Sequence, residues 1–129
     1  MSTRCLIGIT NDINSNEMKA VYCHHDGYPS WVGKILLDHY NTKESIEELL
    51  KDGDMSSIGE TVDKCNYYYE DTFAEVCTIH KPEYWTDIEY RYAFDTSTNT
   101  WWVCNILDEL VKVEDREEIK KDEKKSILS

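Results

Sequence analysis

The stretch YCHHDGYPSWVG, residues 22–33, combines the end of a strand, a tight turn and the start of a helix. Asp-Gly is a turn signal, and Pro29 suits the first turn of a helix, where its missing N–H group is harmless. We expect Asp26 to cap this helix, Gly27 to supply a positive φ and Gly33 to let the helix approach a sheet closely. The stretch therefore predicts a strand that turns directly into a helix, and residues 22–33 are called the corner below.

Strands are predicted before this corner and a helix after it. Residues 3–10 and 18–25 are rich in aromatic and β-branched side chains and predict an N-terminal hairpin. The first helix is expected to run from Pro29 to about Tyr40. Four residues recur there at helical spacing, Val32, Ile35, Leu36 and His39.

A second helix is predicted directly after the first. Asn41 can cap it, with Glu44 as the capping-box partner three residues later. Gly53 suits the position just past its end. Its predicted buried stripe consists of Ile46, Leu49 and Leu50.

The C-terminal half is predicted to consist of strands. Residues 72–80 are strand-like, and residues 87–95 are expected to form a hairpin with residues 100–106. Residues 87–95 alternate clearly, with Ile88, Tyr90, Tyr92 and Phe94 on one face and Glu89, Arg91 and Asp95 on the other. Residues 54–71 show no clear period.

The order of these elements predicts an α+β fold. We expect one domain over residues 1–113, in which two helices pack on one face of an antiparallel sheet. Residues 114–129 are highly charged and are predicted to form a C-terminal helix or tail. The length of 129 residues is typical of one domain with one hydrophobic core.

The net charge of −12 restricts the possible partners. Residues 1–107 hold 18 acidic and eight basic side chains, so the acidity belongs to the body of the protein rather than to its tail. Direct binding to nucleic acid, or to an anionic membrane, needs clustered Lys and Arg and is not expected. A negative field of this kind attracts basic surfaces.

The cysteine pattern and the N-terminus indicate a cytoplasmic protein. The five cysteines form no CxxC pair, and an odd number of them indicates reduced thiols. Residues 1–9 are too short and too polar for the apolar region of a signal peptide. No apolar run is long enough to cross a membrane.

Metal binding and nucleophilic catalysis find little support in the spacing of reactive residues. The candidate ligands match no zinc pattern, and we predict no metal and no cofactor. They are Cys23, His24, His25, His39 and His80. A Cys23–His25 dyad beside Asp26 is permitted by their spacing, but turn and cap chemistry accounts for this corner equally well. We therefore expect a binding protein rather than an enzyme.

The acidic and aromatic side chains predict a protein-binding surface. Carboxylates along one face would imitate the phosphates of a nucleic acid, and Tyr and Trp side chains would anchor the interface. A solvated surface that only keeps the protein soluble is the alternative. The predicted partner-binding residues are Glu44, Glu47, Glu48, Asp52, Glu83, Asp87, Glu89, Trp101 and Trp102.

The corner and the late hairpin carry a resemblance to a known group of proteins. The matching residues are Tyr22, His24, Asp26, Gly27, Tyr28, Pro29, Gly33, Gly53, Asp54, Ser56, Trp101, Trp102 and Val103. This pattern, YxHxDGYPxxxG followed by Leu-rich helices and a Trp-Trp-Val strand, resembles a family of small proteins of bacteriophages and bacterial mobile elements. The resemblance implies a phage-type origin and action in the cytoplasm of a host cell. By analogy with small acidic phage proteins, it favours an inhibitor of a host defence effector, such as an anti-CRISPR protein.

Two other functions remain open. A small-molecule or nucleotide site could lie at the corner, where aromatic rings could stack on a base and the helix N-terminus could hold a phosphate. Its predicted residues are Tyr22, His24, Asp26, Tyr28 and Ser30. Alternatively, Trp101 or Trp102 could mediate self-association, and the sequence does not fix an oligomeric state.

Overall fold

The computed structural model describes residues 3–69, 72–80 and 88–115. These residues form eight strands in one sheet and two α-helices that lie against it. The strands are β1 (Cys5–Thr10), β2 (Glu17–Cys23), β3 (Met55–Ser57), β4 (Asn66–Tyr67), β5 (Glu75–Thr78), β6 (Tyr90–Asp95), β7 (Thr100–Cys104) and β8 (Leu110–Lys112). A π-helical turn (Pro29–Gly33) leads into α1 (Lys34–His39), and α2 (Lys43–Leu50) follows. Short 3-10 turns cover Ile13–Ser15, Val62–Lys64 and Val113–Asp115.

The sheet is mixed, so the predicted α+β class is confirmed and the predicted antiparallel sheet is wrong. The strand order is β4-β3-β2-β1-β6-β7-β8, and β5 pairs with β2. The β1–β2 and β6–β7 hairpins are antiparallel, as their short connections predict. However, β1 and β6 are parallel neighbours, and so are β2 and β3. The two hairpins therefore meet side by side through β1 and β6, and β6 lies inside the sheet.

Strand β6 is buried on both of its faces. Its apolar side chains belong to the core under the helices, as their alternation predicts. The polar side chains of the other face are buried as well, with Arg91 1% and Asp95 3% exposed. Strands with a parallel neighbour commonly have both faces covered. The face of the sheet that points away from the helices, called the second face below, is therefore interior at β6.

The helices cover the first face of the sheet. Ile46, Leu49 and Leu50 of α2 are buried in the main core, as predicted. The cap of α2 lies one residue later than expected. Thr42 accepts a hydrogen bond from the Ser45 N–H, and the Ser45 hydroxyl accepts one from the Thr42 N–H. Asn41 and Glu44 are therefore not the capping pair.

The corner between β2 and α1 is built differently from its prediction. Asp26, rather than Gly27, has the positive φ of 57°. Tyr28 is the N-cap residue, and it makes no side-chain cap, so Asp26 does not cap the helix. Gly27 is needed for a different reason. A Cβ atom there would lie 2.9 Å from the Cβ of Cys5 and from the carbonyl oxygen of Thr3.

The second face of the sheet is covered by the chain that follows β5. Ile79 is fully buried there against a small cluster of side chains. That cluster contains Met18, Ala20, Ala93 and Cys104. The backbone N–H groups of Ile79 and His80 are held by the carbonyl and side-chain oxygens of Asn16. Residues 78–80 therefore cross the second face and bring His80 to β7.

The C-terminal helix predicted over residues 114–129 falls largely outside the described residues. Its first two residues belong to the 3-10 turn Val113–Asp115. No helix in the described part of the chain is long and apolar enough to cross a membrane.

Candidate functional site

Helix α2 presents an acidic face to solvent. Glu44, Glu47 and Glu48 are all exposed, and Asp52 just beyond the helix is partly exposed. Lys43 forms an ion pair with Glu47 at 3.8 Å, with both side chains more than half exposed. Such an exposed pair contributes little to stability. The outer side of α2 therefore carries more negative than positive charge.

Most carboxylates of the described residues form no ion pair with a Lys or Arg side chain of those same residues. The described residues contain 18 carboxylate side chains and eight Lys or Arg side chains. Between these two groups, they form the pairs Lys43–Glu47 and Lys112–Glu114. One of the eight bases, Arg91, is buried. Among the described residues, ion pairs therefore offset only a small part of the negative charge.

The predicted partner-binding residues do not form one surface. Trp101 is a core residue, 2% exposed, whose indole Nε1–H donates to the Tyr40 carbonyl oxygen at 2.7 Å, so its prediction as a surface anchor is wrong. Trp102 faces the opposite side of the sheet from the helices, with the Lys112 ammonium 5.7 Å from its ring centroid.

Glu89 accepts a 2.6 Å hydrogen bond from the Arg4 N–H beside β1. Glu83 and Asp87 lie outside the described residues. Among the predicted carboxylates that the structure describes, the four on and directly after α2 are neighbours along the chain.

The predicted ligand corner is also divided. The Tyr22 hydroxyl and His24 Nδ1 lie 2.6 Å apart, and the His24 and His25 rings meet edge to face with centroids 4.5 Å apart. Asp26 is exposed at the turn. Tyr28 packs against the main core. Ser30 lies in a separate cleft, so the corner brings Tyr22 and His24 together but not all five residues.

The cleft beside Ser30 has a volume of about 420 Å³. Trp31 lies in it with 49% of its surface exposed, and the charged residues Lys34 and Lys64 also line it. Asp38 and Glu60 each contribute a carboxylate. The cleft therefore combines an exposed aromatic ring and two lysines on one concave surface, as does a second cleft lined by Phe73, Lys19 and Lys51.

The predicted Cys23–His25 dyad is not supported by the geometry at Cys23. Its Sγ lies 3.7 Å from the backbone carbonyl oxygen of His25, and Cys23 is fully buried. Cys5 lies opposite Cys23 in the β1–β2 register and is fully buried too. A hydrogen bond from Cys5 is the main cause that lowers the pKa of Cys23, whereas burial raises the pKa of Cys5 well above its usual value. These thiols belong to the core and are closed to a substrate.

A cluster that the sequence analysis did not assemble lies on the second face of the sheet. His80 Nδ1, Cys104 Sγ and Asp108 Oδ1 all lie within 4.8 Å of one another. The Cys104 thiol donates to Asp108 Oδ1 at 3.0 Å, and His80 Nδ1 lies 3.7 Å from the sulfur and 3.4 Å from that oxygen. His80 was among the ligands considered, but Cys104 and Asp108 were not. The missed signal is the i, i+4 spacing of a thiol and a carboxylate across the β7–β8 turn.

The backbone around this cluster is held firmly. Arg91 donates from Nη1 to the carbonyl oxygen of His80 at 2.7 Å. Asn105 is fully buried, and its side-chain oxygen accepts from the N–H groups of Leu107 and Glu109. The Asp108 N–H donates to the Asn105 carbonyl oxygen at 2.9 Å. Asp108 takes a left-handed φ of 61°, which Asp tolerates better than most residues.

No protein-family model, curated protein or solved structure matches this chain. The resemblance to small phage and mobile-element proteins therefore stays a prediction from the motif.

Proposed function

We propose that this chain is a non-enzymatic acidic binding protein that docks α2 on the basic nucleic-acid-binding surface of a partner protein. It would act as a phage-type inhibitor of a host defence effector, because an occupied basic surface cannot bind nucleic acid. The observation that carries this proposal is the row of exposed carboxylates Glu44, Glu47 and Glu48.

The charge density of this row is comparable to that of a nucleic acid. Glu44 and Glu48 are one turn apart, about 6 Å along the helix axis at ~1.5 Å per residue. Duplex DNA carries one charge per ~1.7 Å, which is three to four charges over roughly that length. Three carboxylates therefore occupy a length over which DNA presents a similar number of phosphates, and Lys43 offsets part of their charge.

The position of the row on a helix also supports binding. A helix whose apolar stripe is anchored in the core holds its outer side chains in a fixed arrangement. Glu44 reaches Glu47 and Glu48 at the i, i+3 and i, i+4 spacings, so the three carboxylates repel one another. A basic partner would relieve this repulsion, and the attraction would speed its association.

Capture of partners from a bacterial lysate would test the proposal. The tagged wild-type chain is expected to retain nucleic-acid-binding proteins at low salt, and both high salt and added duplex DNA should release them. In the triple variant Glu44→Lys, Glu47→Lys, Glu48→Lys, capture should fall more than about tenfold, because like charges across an interface cost several kcal/mol.

A matched variant controls for total charge. Glu17→Lys, Glu75→Lys, Asp115→Lys changes the net charge by the same amount at exposed positions on other elements. It should retain most of the binding. If both triple variants lose binding equally, only the overall charge matters. If neither loses it, α2 is not the interface.

A small-ligand function has one specific observation in its favour, the cleft at Ser30. Its exposed Trp31 ring could stack on a base, while Lys34 and Lys64 could contact a phosphate. Thermal-shift measurements with AMP and ATP would test this directly. We expect Trp31→Ala to abolish any stabilisation, whereas a stabilisation that survives this change would place the ligand elsewhere.

A further inference from the structure

We propose that His80, Cys104 and Asp108 bind a zinc ion on the second face of the sheet and leave its fourth coordination position open. The three side chains come from separate segments. His80 follows β5, Cys104 ends β7, and Asp108 lies in the turn before β8. Their donor atoms converge on one point.

Two of the three distances between the donor atoms are close to those of a tetrahedral zinc site. Zinc–ligand bonds of about 2.0–2.3 Å at tetrahedral angles separate N, O and S ligand atoms by roughly 3.3–3.6 Å. The observed separations are 3.4 Å for N···O, 3.7 Å for N···S and 3.0 Å for S···O. The S···O distance is the short one, because the Cys104 thiol is hydrogen-bonded to the Asp108 carboxylate. An ion that replaced this proton would contact all three atoms once the exposed Asp108 side chain moved by about half an ångström.

The same geometry argues against a Cys-His-Asp nucleophilic triad. In such a triad, one ring nitrogen of the histidine faces the nucleophile and the other faces the acid. Here a single nitrogen, His80 Nδ1, lies nearest to both the Cys104 sulfur and the Asp108 carboxylate. The acid also accepts directly from the thiol. This arrangement cannot relay a proton through the ring, but it does direct three ligand atoms at one cation.

The donor set selects the kind of metal. Thiolate, imidazole and carboxylate together suit zinc, whereas Mg²⁺ and Ca²⁺ prefer oxygen ligands alone. Binding would displace the proton of the Cys104 thiol to solvent and form a sulfur–zinc bond. The thiolate and the Asp108 carboxylate would then balance the two charges of the ion.

Hydrogen bonds hold the backbone around the proposed zinc site, and solvent can still reach two of its three ligands. Cys104 is fully buried, but the side chains of His80 and Asp108 are 43% and 42% exposed. The backbone of His80 is fixed by Arg91 and Asn16, and Asp108 is fixed by the turn around Asn105. The sulfur thus forms the floor of the site, and the two exposed ligands form its rim, where water could complete the coordination.

Cobalt substitution would test the proposal on the full-length chain. After treatment with a chelator, the protein is titrated with Co²⁺. We expect one equivalent to produce a thiolate-to-cobalt charge-transfer band in the near ultraviolet and visible bands of tetrahedral intensity. One equivalent of Zn²⁺ should remove both. Azide should shift the visible bands, and an unchanged spectrum would show that the fourth position is closed.

Variants separate this site from the other thiols and imidazoles. Cys104→Ser should lose the charge-transfer band, and Asp108→Asn should weaken binding more than tenfold while circular dichroism shows an unchanged fold. Cys77→Ser and His39→Gln, which alter a partly exposed thiol and an exposed imidazole outside the cluster, should bind cobalt like the wild type. Absence of the band in the wild-type protein, or its persistence in Cys104→Ser, would overturn the proposal.

Discussion

The Tyr92 hydroxyl donates a hydrogen bond to the carbonyl oxygen of Gly27 at 2.7 Å, although the two residues are 65 positions apart. Tyr92 is fully buried in β6, and Gly27 lies in the turn between β2 and the π-helical turn. This bond ties the corner to the centre of the sheet. The carbonyl group of Gly27 therefore depends on a residue from the other half of the chain.

Removal of this bond should destabilise the protein. Tyr92→Phe leaves a buried carbonyl group with one partner fewer, and we expect the free energy of unfolding to fall by about 1–3 kcal/mol. Urea denaturation followed by circular dichroism would measure the change. Tyr69→Phe, at a side chain that is 71% exposed, should stay within about 0.5 kcal/mol of the wild type. Equal effects of the two substitutions would contradict the importance assigned to the bond.

The two adjacent tryptophans should differ sharply in their effect on stability. Trp101 is buried and bonded to the Tyr40 carbonyl oxygen, so Trp101→Phe should cost about 2–4 kcal/mol through lost packing and an unsatisfied acceptor. Trp102 is only partly buried, and its Nε1 has no hydrogen-bond partner among the residues that the structure describes. Trp102→Phe should therefore cost less than about 1 kcal/mol, since little is lost besides surface contact. Thermal melts of both variants would decide the matter, and the reverse ranking would refute it.

The sequence predicted contacts between neighbouring segments better than contacts between distant ones. The β1–β2 and β6–β7 hairpins follow from alternation and short turns, which act locally. The parallel pairing of β1 with β6 joins residues about 85 positions apart, such as Cys5 and Tyr90, and no local pattern encodes it. Alternation and short turns predict antiparallel hairpins, whereas the pairing of β1 with β6 depends on the burial of residues that are far apart in sequence. The prediction of an antiparallel sheet is wrong for this reason.

The candidate zinc site was missed for the same reason. Cys104 and Asp108 are close in sequence, but His80 reaches them only because residues 78–80 cross the second face of the sheet. Arg91, directly opposite Cys104 in the β6–β7 register, holds the carbonyl group of His80. Spacing rules find metal sites whose ligands share one hairpin or helix, and this cluster draws on three segments.

At the start of α2, the sequence offers two adjacent residues that are nearly equivalent as N-cap residues. Asn and Thr are both good N-cap residues, and the structure selects Thr42 over Asn41. Thr42→Ala should lower the free energy of unfolding by about 1 kcal/mol, whereas Asn41→Ala should change it by a few tenths at most. Chemical denaturation of both variants distinguishes them, and a larger loss for Asn41→Ala would restore the original prediction.

The buried carboxylate Asp95 should make stability depend on pH in the acid range. Burial alone raises the pKa of Asp95, but hydrogen bonds from Ser97 and from the Ile13 N–H outweigh it, so the pKa is lowered overall. A lowered pKa in the folded state means that the carboxylate contributes its stability above its unfolded pKa of about 3.9. That contribution is lost as the pH falls below this value and through the folded pKa. Asp95→Asn should therefore be less stable than the wild type at pH 7, and the difference should shrink as the pH approaches 2. Urea denaturation at pH 7, 4 and 2.5 would measure it, and a difference that stays constant over this range would show that Asp95 does not titrate as its hydrogen bonds require.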